Sequence, residues 1–159
     1  MKANEDQSGP NRKTLMWYLY LISMVLLAFT GFGQMPIYKR YYISDIPGLA
    51  WSADFYTTHL IHYIFSALFL GIAAYVVFDH LLLKKKRFAL TLSGFIRSAI
   101  IAGLVATGLL LVIYNFSGVA FPMWAAATLL VAHMTLAMAL IAAGFIALIG
   151  RKPWVRAIN

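Results

Sequence analysis

Four long apolar runs, Leu15–Gly33, Phe55–Leu83, Ser98–Phe116 and Phe121–Ile149, dominate the chain. A helix of about 18 or more apolar residues is long enough to cross roughly 30 Å of hydrocarbon. Lipid offers no hydrogen bonds to a bare backbone, so runs of this kind fold as helices. An even number of spans with short connections packs neighbours in opposite directions. The pattern therefore predicts an all-α integral membrane protein, an antiparallel four-transmembrane-helix bundle. Charged residues make up 11% of the chain and hydrophobic ones 62%, which excludes an ordinary soluble domain.

Residues 1–14 read as a polar cytoplasmic tail, 15–150 as the transmembrane domain and 151–159 as a basic cytoplasmic tail. The first run has no small-residue cleavage site and reads as a span rather than a signal peptide. The second is long enough to tilt or to project beyond the lipid. Phe88–Arg97 reads as a short amphipathic lead-in lying in the interface, with Arg97 reaching up to headgroups.

The basic residues set the orientation. Lys2, Arg12 and Lys13 precede the first span, Lys84, Lys85, Lys86 and Arg87 join the second and third, and Arg151, Lys152 and Arg156 follow the fourth. Lys39 and Arg40 alone lie in the first connection, and the third connection has none. The positive-inside rule places both termini and Lys84–Arg87 in the cytoplasm and the segment Gln34–Asp54 outside. The net charge of +8 sits at the ends of apolar runs, which points to membrane lipid and not to nucleic acid. Tyr38, Tyr41, Tyr42 and Trp51 of the outer connection suit a membrane interface or a docked partner. Pro36, Pro47 and Gly48 make that connection irregular.

Small residues stand where helices or a flat ligand can approach closely: Gly31, Gly33, Gly71, Gly103, Gly108, Gly144 and the run Ala125–Ala127. A Thr-Gly pair occurs in the first span, Thr30-Gly31, and again in the third, Thr107-Gly108. Each is followed in the next span by a histidine, which hints at a duplicated helix pair.

An ionisable residue inside the membrane is a functional hypothesis by default. Of the four histidines, His59 and His62 are three apart in the second span, so they differ by about 60° in azimuth and about 4.5 Å in height. His62 lies about two turns into its span and His133 about three turns into the fourth. With both spans running inward, the two share a level in the outer half of the bundle, and His59 is the alternative partner. A lone membrane histidine also serves simply by hydrogen-bonding a neighbouring helix. Two on separate helices at one level suit a metal held by neutral imidazoles. Zinc takes three or four protein ligands, and Asp54 stands only at the membrane edge. Haem takes two, since the porphyrin supplies the rest. Bis-histidine ligation leaves no open iron position and makes the iron an electron carrier. The absence of cysteine excludes Cys-ligated iron–sulfur clusters and Cys-attached haem within this chain. His80, beside Asp79, reads as an interfacial histidine or as part of a quinone site. Tyr63 and Trp124 read as lining a cofactor cavity or as plain belt and core residues.

The segment HYIFSALFLGIAAYVVFDH, from His62 to His80, resembles the second helix of the membrane cytochrome b subunits of formate dehydrogenases, whose relatives serve nickel–iron hydrogenases and thiosulfate reductases. AHMTLAMALIAAGFIAL resembles the fourth helix, with His133 at the ligand position. The resemblance covers about residues 15–150. It implies an outer haem b with His62 and His133 as axial ligands, and His80 matches a histidine that often closes the second helix. Family members with two haems also use a first-helix histidine and a deeper fourth-helix histidine. Here the first span has no histidine, and Ala147 stands near the inner fourth-helix position. One haem is therefore expected, unless Met16 or Met24 faces His80 as an inner ligand. Losing the inner haem also removes the basis for the family's inner-side quinone site.

The resemblance implies a membrane anchor and electron-transfer subunit of a bacterial inner (cytoplasmic) membrane. It would link menaquinone or ubiquinone to an outer subunit carrying iron–sulfur clusters or several c-type haems, and would not be catalytic alone. His59, nearer the outer boundary, is then a group supporting the haem or meeting the quinone. Two other readings compete: a cofactor-free structural anchor, and a small transporter or channel with a histidine proton relay. A transporter would carry more intramembrane polar groups or broken helices, and Asn115 and Ser117 lie only at an outer helix end.

Overall fold

The computed structural model describes residues 10–84 and 87–158. The polar tail at 1–9, together with Lys85 and Lys86 of the basic connection, lies outside the described residues. The chain is an all-α membrane protein. Its long helices are α1 (Pro10–Gly33), α3 (Phe55–Asp79), α4 (Leu92–Tyr114) and α5 (Met123–Ile149), and each contains a stretch long and apolar enough to span a bilayer. A short helix α2 (Pro36–Arg40) follows α1, and two three-residue strands, β1 (Phe88–Leu90) and β2 (Val155–Ala157), complete the elements used below. The chain divides into two compact units, Met1–Phe78 and Asp79–Asn159.

The first unit is turned inside out relative to a soluble domain. The buried positions of α1 include Ser23 and Thr30, both fully enclosed, while Leu15, Trp17, Ile22 and Val25 face outward. Small polar side chains on the inner face let helices approach closely, and lipid solvates the large apolar ones at no cost. Asp54 immediately precedes α3, and its carboxylate accepts from the Thr57 backbone N–H at 3.0 Å and from the Thr57 hydroxyl. That is an N-cap, placed where the first-turn donors have no helical partner. Thr58 is buried at the same end and donates to the Asp54 carbonyl at 2.9 Å.

The connection between α1 and α3 is more ordered than its prolines suggest. After α2 it makes two 3-10 turns, Ile43–Asp45 and Ala50–Ala53. Tyr38, expected at an interface or against a partner, is instead fully buried. Its ring meets Phe29 and Phe32 edge-on, and its hydroxyl pairs with Ser52 Oγ at 2.7 Å. Both ends of the amphipathic ring are thus satisfied inside the fold. Tyr41, Tyr42 and Trp51 are exposed as expected.

The second unit opens with a π-helical turn, His80–Lys84, which continues α3. The segment Phe88–Arg97, expected as one short amphipathic lead-in, is a strand followed by the first turns of α4. Phe88–Leu90 is a strand, paired antiparallel with Val155–Ala157 in the register Phe88↔Ala157, and α4 begins at Leu92 rather than Ser98. Backbone bonds from Thr91 N to Trp154 O and from Ile158 N to Arg87 O, each 3.0 Å, extend the pairing at both ends. Thr91 is the N-cap of α4, accepting from Gly94 N at 2.9 Å and donating to Pro153 O at 2.7 Å. Arg97 does not reach for headgroups. It is 7% exposed, bonds the Ser93 and Lys152 carbonyls at 3.2 Å, and lies 4.0 Å over the Trp154 ring. The C-terminal segment, 55 residues away in sequence at Lys152, supplies one of these oxygen atoms and the aromatic face that hold this charge.

Helix α5 is capped at its end by Arg151 in the left-handed region (φ 48°). Lys152 N bonds Ala147 O at 2.8 Å and Arg151 N bonds Leu148 O at 3.2 Å, the paired bonds of a Schellman cap. Glycine is the usual residue at that position, and here an arginine takes it.

Candidate functional site

Each unit holds one intramembrane histidine in the same local setting. In the first, His62 projects from α3 and its Nδ1 lies 2.9 Å from Thr30 Oγ1 of α1. In the second, His133 projects from α5 and its Nδ1 lies 2.9 Å from Thr107 Oγ1 of α4. Both threonine hydroxyls also contact the carbonyl four residues back, at 2.7 Å to Leu26 O and 2.8 Å to Gly103 O.

These contacts assign the protons. A hydroxyl has one proton, and two oxygens at 2.7–2.8 Å with none between them would repel. The threonine proton therefore goes to the helix carbonyl, and the threonine oxygen accepts from the imidazole Nδ1–H. Neutral imidazole then carries its lone pair on Nε2. The assignment rests on the hydrogen-bond network, as tautomers do.

The glycine after each threonine makes room for the ring. A Cβ added at Gly31 would lie 3.4 Å from His62 Cε1, and one at Gly108 would lie 3.3 Å from His133 Cε1. Gly103 serves α5 likewise, since its Cβ would stand 3.0 Å from Leu136 Cδ1. Gly71 and Gly144, also expected at close approaches, have nothing within 4 Å.

His59 has a different environment. Its Nδ1 donates to Gln34 Oε1 at 3.1 Å, and its ring lies between Phe55, stacked at 4.9 Å, and Tyr63, edge-on at 4.4 Å. Gln34 Nε2 is buried with no hydrogen-bond partner. His80 is half-buried in the π-helical turn after α3, Trp124 is exposed near the start of α5, and Ala147 is buried near its end. Met16 and Met24 are half-buried on α1. Among the described residues no three His, Cys, Asp or Glu side chains gather as a metal site.

Sequence reasoning found both histidines but not their partners. The repeated Thr-Gly pair was the signal, and its meaning required knowing which helix faces which. Gln34 carried no signal, being one polar residue at a helix end. No protein-family model, curated protein or solved structure matches the chain.

Proposed function

We propose that this chain is a haem b-carrying membrane subunit, with His62 and His133 as the two axial ligands, that passes electrons between membrane quinone and a redox partner on the outer side. One observation carries the reading: two intramembrane imidazoles are each held through Nδ1 by a threonine, which presents Nε2 as the lone-pair nitrogen. That donor set fits an iron porphyrin, which needs two axial nitrogens and no carboxylate. The glycine beside each ring keeps that side free of bulk, and the likeness of the two helices to formate dehydrogenase cytochrome b subunits supports the same pair. When bound, the haem would supply one-electron chemistry.

The chain's residues do the rest. Thr30 and Thr107 orient the ligands. His59, already bound to Gln34, supports the site or meets a quinone rather than the iron. The partner supplies the iron–sulfur clusters or c-type haems that a cysteine-free chain cannot hold.

The test is a pyridine haemochrome assay on the full-length chain, produced in haem-replete cells and purified in detergent. About one haem b per chain is expected, with loss in His62→Ala and His133→Ala. The same threonine bonds would also serve a cofactor-free anchor, because an imidazole between helices needs a partner. Wild-type protein without haem absorption would reject the haem reading and leave that one.

A further inference from the structure

We infer that the groove between the first turns of α4 and the last turns of α5 is a binding site for one anionic phospholipid, whose phosphate meets Lys152 and Arg97 and whose acyl chain lies along Leu92, Ile96 and Ile146. The inference stands apart from the haem reading and concerns the second unit alone.

Strand pairing builds the groove. Strand β1 leads into α4 and β2 follows α5, so their antiparallel pairing brings the start of one helix beside the end of the other. The bond from Thr91 Oγ1 to Pro153 O, 2.7 Å long, fastens the two connections. Between them lies a space of about 440 Å³, with Ser93, Arg97 and Lys152 on its polar side and Leu92, Ile96 and Ile146 on its apolar side. Small-molecule sites run from about 300 to 1,000 Å³, so a headgroup and the upper part of a chain fit. Both cations are placed before anything binds. Arg97 is fastened to the Ser93 and Lys152 carbonyls, and the Lys152 backbone N–H is bonded to Ala147 O. Positions fixed in advance lower the cost of ordering a site around its ligand.

Charge and polarity together name the occupant. Residues 79–159 carry eight Lys and Arg against one acidic side chain, Asp79. All eight lie at 84–97 or 151–156, on the segments that flank the start of α4 and the end of α5. Seven of these positive charges have no acidic side chain in the unit to balance them, so the end of the unit that holds the groove attracts anions. Leu92, Ile96 and Ile146 are exposed and belong to helices apolar enough to cross a bilayer. A soluble phosphate would meet the cations and leave these three uncovered. A zwitterionic lipid would cover them and leave the charge unbalanced. A lipid of net negative charge does both, as basic pockets between spanning helices do elsewhere.

Native mass spectrometry of the full-length chain in detergent tests this, with phosphatidylglycerol, phosphatidylcholine and glycerol phosphate as probes. Phosphatidylglycerol should saturate at one tightly held molecule per chain, phosphatidylcholine should bind more weakly, and glycerol phosphate should not displace the lipid. Lys152→Gln should weaken phosphatidylglycerol about fivefold, and Lys152→Arg should restore it. Arg156 is the control for diffuse charge: it lies on β2 and lines a separate recess with Ala89 and Ile158. Arg156→Gln should therefore bind nearly as well as wild type. Ala143 also lines the groove, and Ala143→Leu should lower occupancy with no change in charge. Equal losses in Lys152→Gln and Arg156→Gln would show attraction to the surface as a whole and overturn the site. Equal binding of the two lipids, or displacement by glycerol phosphate, would overturn it too. Lys152 is exposed, so its variants do not disturb packing. Should Ala143→Leu fail to fold, the comparison of Lys152 with Arg156 decides.

Discussion

Thr107 Oγ1 accepts from His133 Nδ1 at 2.9 Å while giving its own proton to the Gly103 carbonyl at 2.8 Å. This chain of donors leads from a ring nitrogen into the backbone of α4, so the helix itself holds the ring. Thr30 does the same for His62 through Leu26. A membrane interior offers no water to replace either bond, and the imidazole keeps the orientation its neighbour helix dictates.

Gly31 should tolerate a methyl group and little more, and Gly108, where a Cβ would stand 3.3 Å from His133 Cε1, should tolerate less. Gly31→Ala meets His62 Cε1 at an ordinary 3.4 Å and should keep stability, and on the proposed reading haem content, near wild type. Gly31→Leu and Gly108→Leu would drive branched carbons into the ring and separate the helices. Each should lose most of its haem and about 1–3 kcal/mol of stability. Haem per chain and thermal unfolding in detergent measure both effects.

On the proposed haem reading, His59 should be dispensable for haem binding. His59→Ala removes the bond to Gln34 and the contacts with Phe55 and Tyr63, but touches neither threonine-held ring. A six-coordinate low-spin spectrum should survive, with slower quinol-linked reduction or a shifted potential. Haem loss here, with retention in His62→Ala, would exchange the two roles.

The C-terminal clip should depend on Gly94. A Cβ there would sit 2.0 Å from Trp154 O, and that atom is backbone, unable to swing aside. Gly94→Ala should break the Thr91–Trp154 bond, expose Arg97 and cost about 1–3 kcal/mol. Limited proteolysis should then release residues after Pro153 more quickly than in wild type.

Orientation is testable from the cysteine-free background. Ten basic residues flank the spans on one side and two lie in the first connection, which predicts that Tyr42→Cys is labelled by an impermeant maleimide in whole cells. Tyr42 is 72% exposed, so access does not limit the reaction. Arg156→Cys should react only after the cells are opened. The reverse pattern would invert the assignment.

The sequence by itself determined the four spanning helices. A run of apolar residues long enough for the hydrocarbon must be helical wherever it sits, because the bilayer supplies no other hydrogen bonds. It also marked His62 and His133, since ionisable groups are rare in such runs. Only the tertiary structure decided what those side chains touch. Tyr38 and Arg97 looked like surface residues by type and position. They are buried because Ser52 and the Trp154 region, distant in sequence, come back to receive their polar ends. The threonine–histidine bonds span 32 and 26 residues. No local periodicity records a pairing of that range, which exists only once two helices pack with a glycine between them.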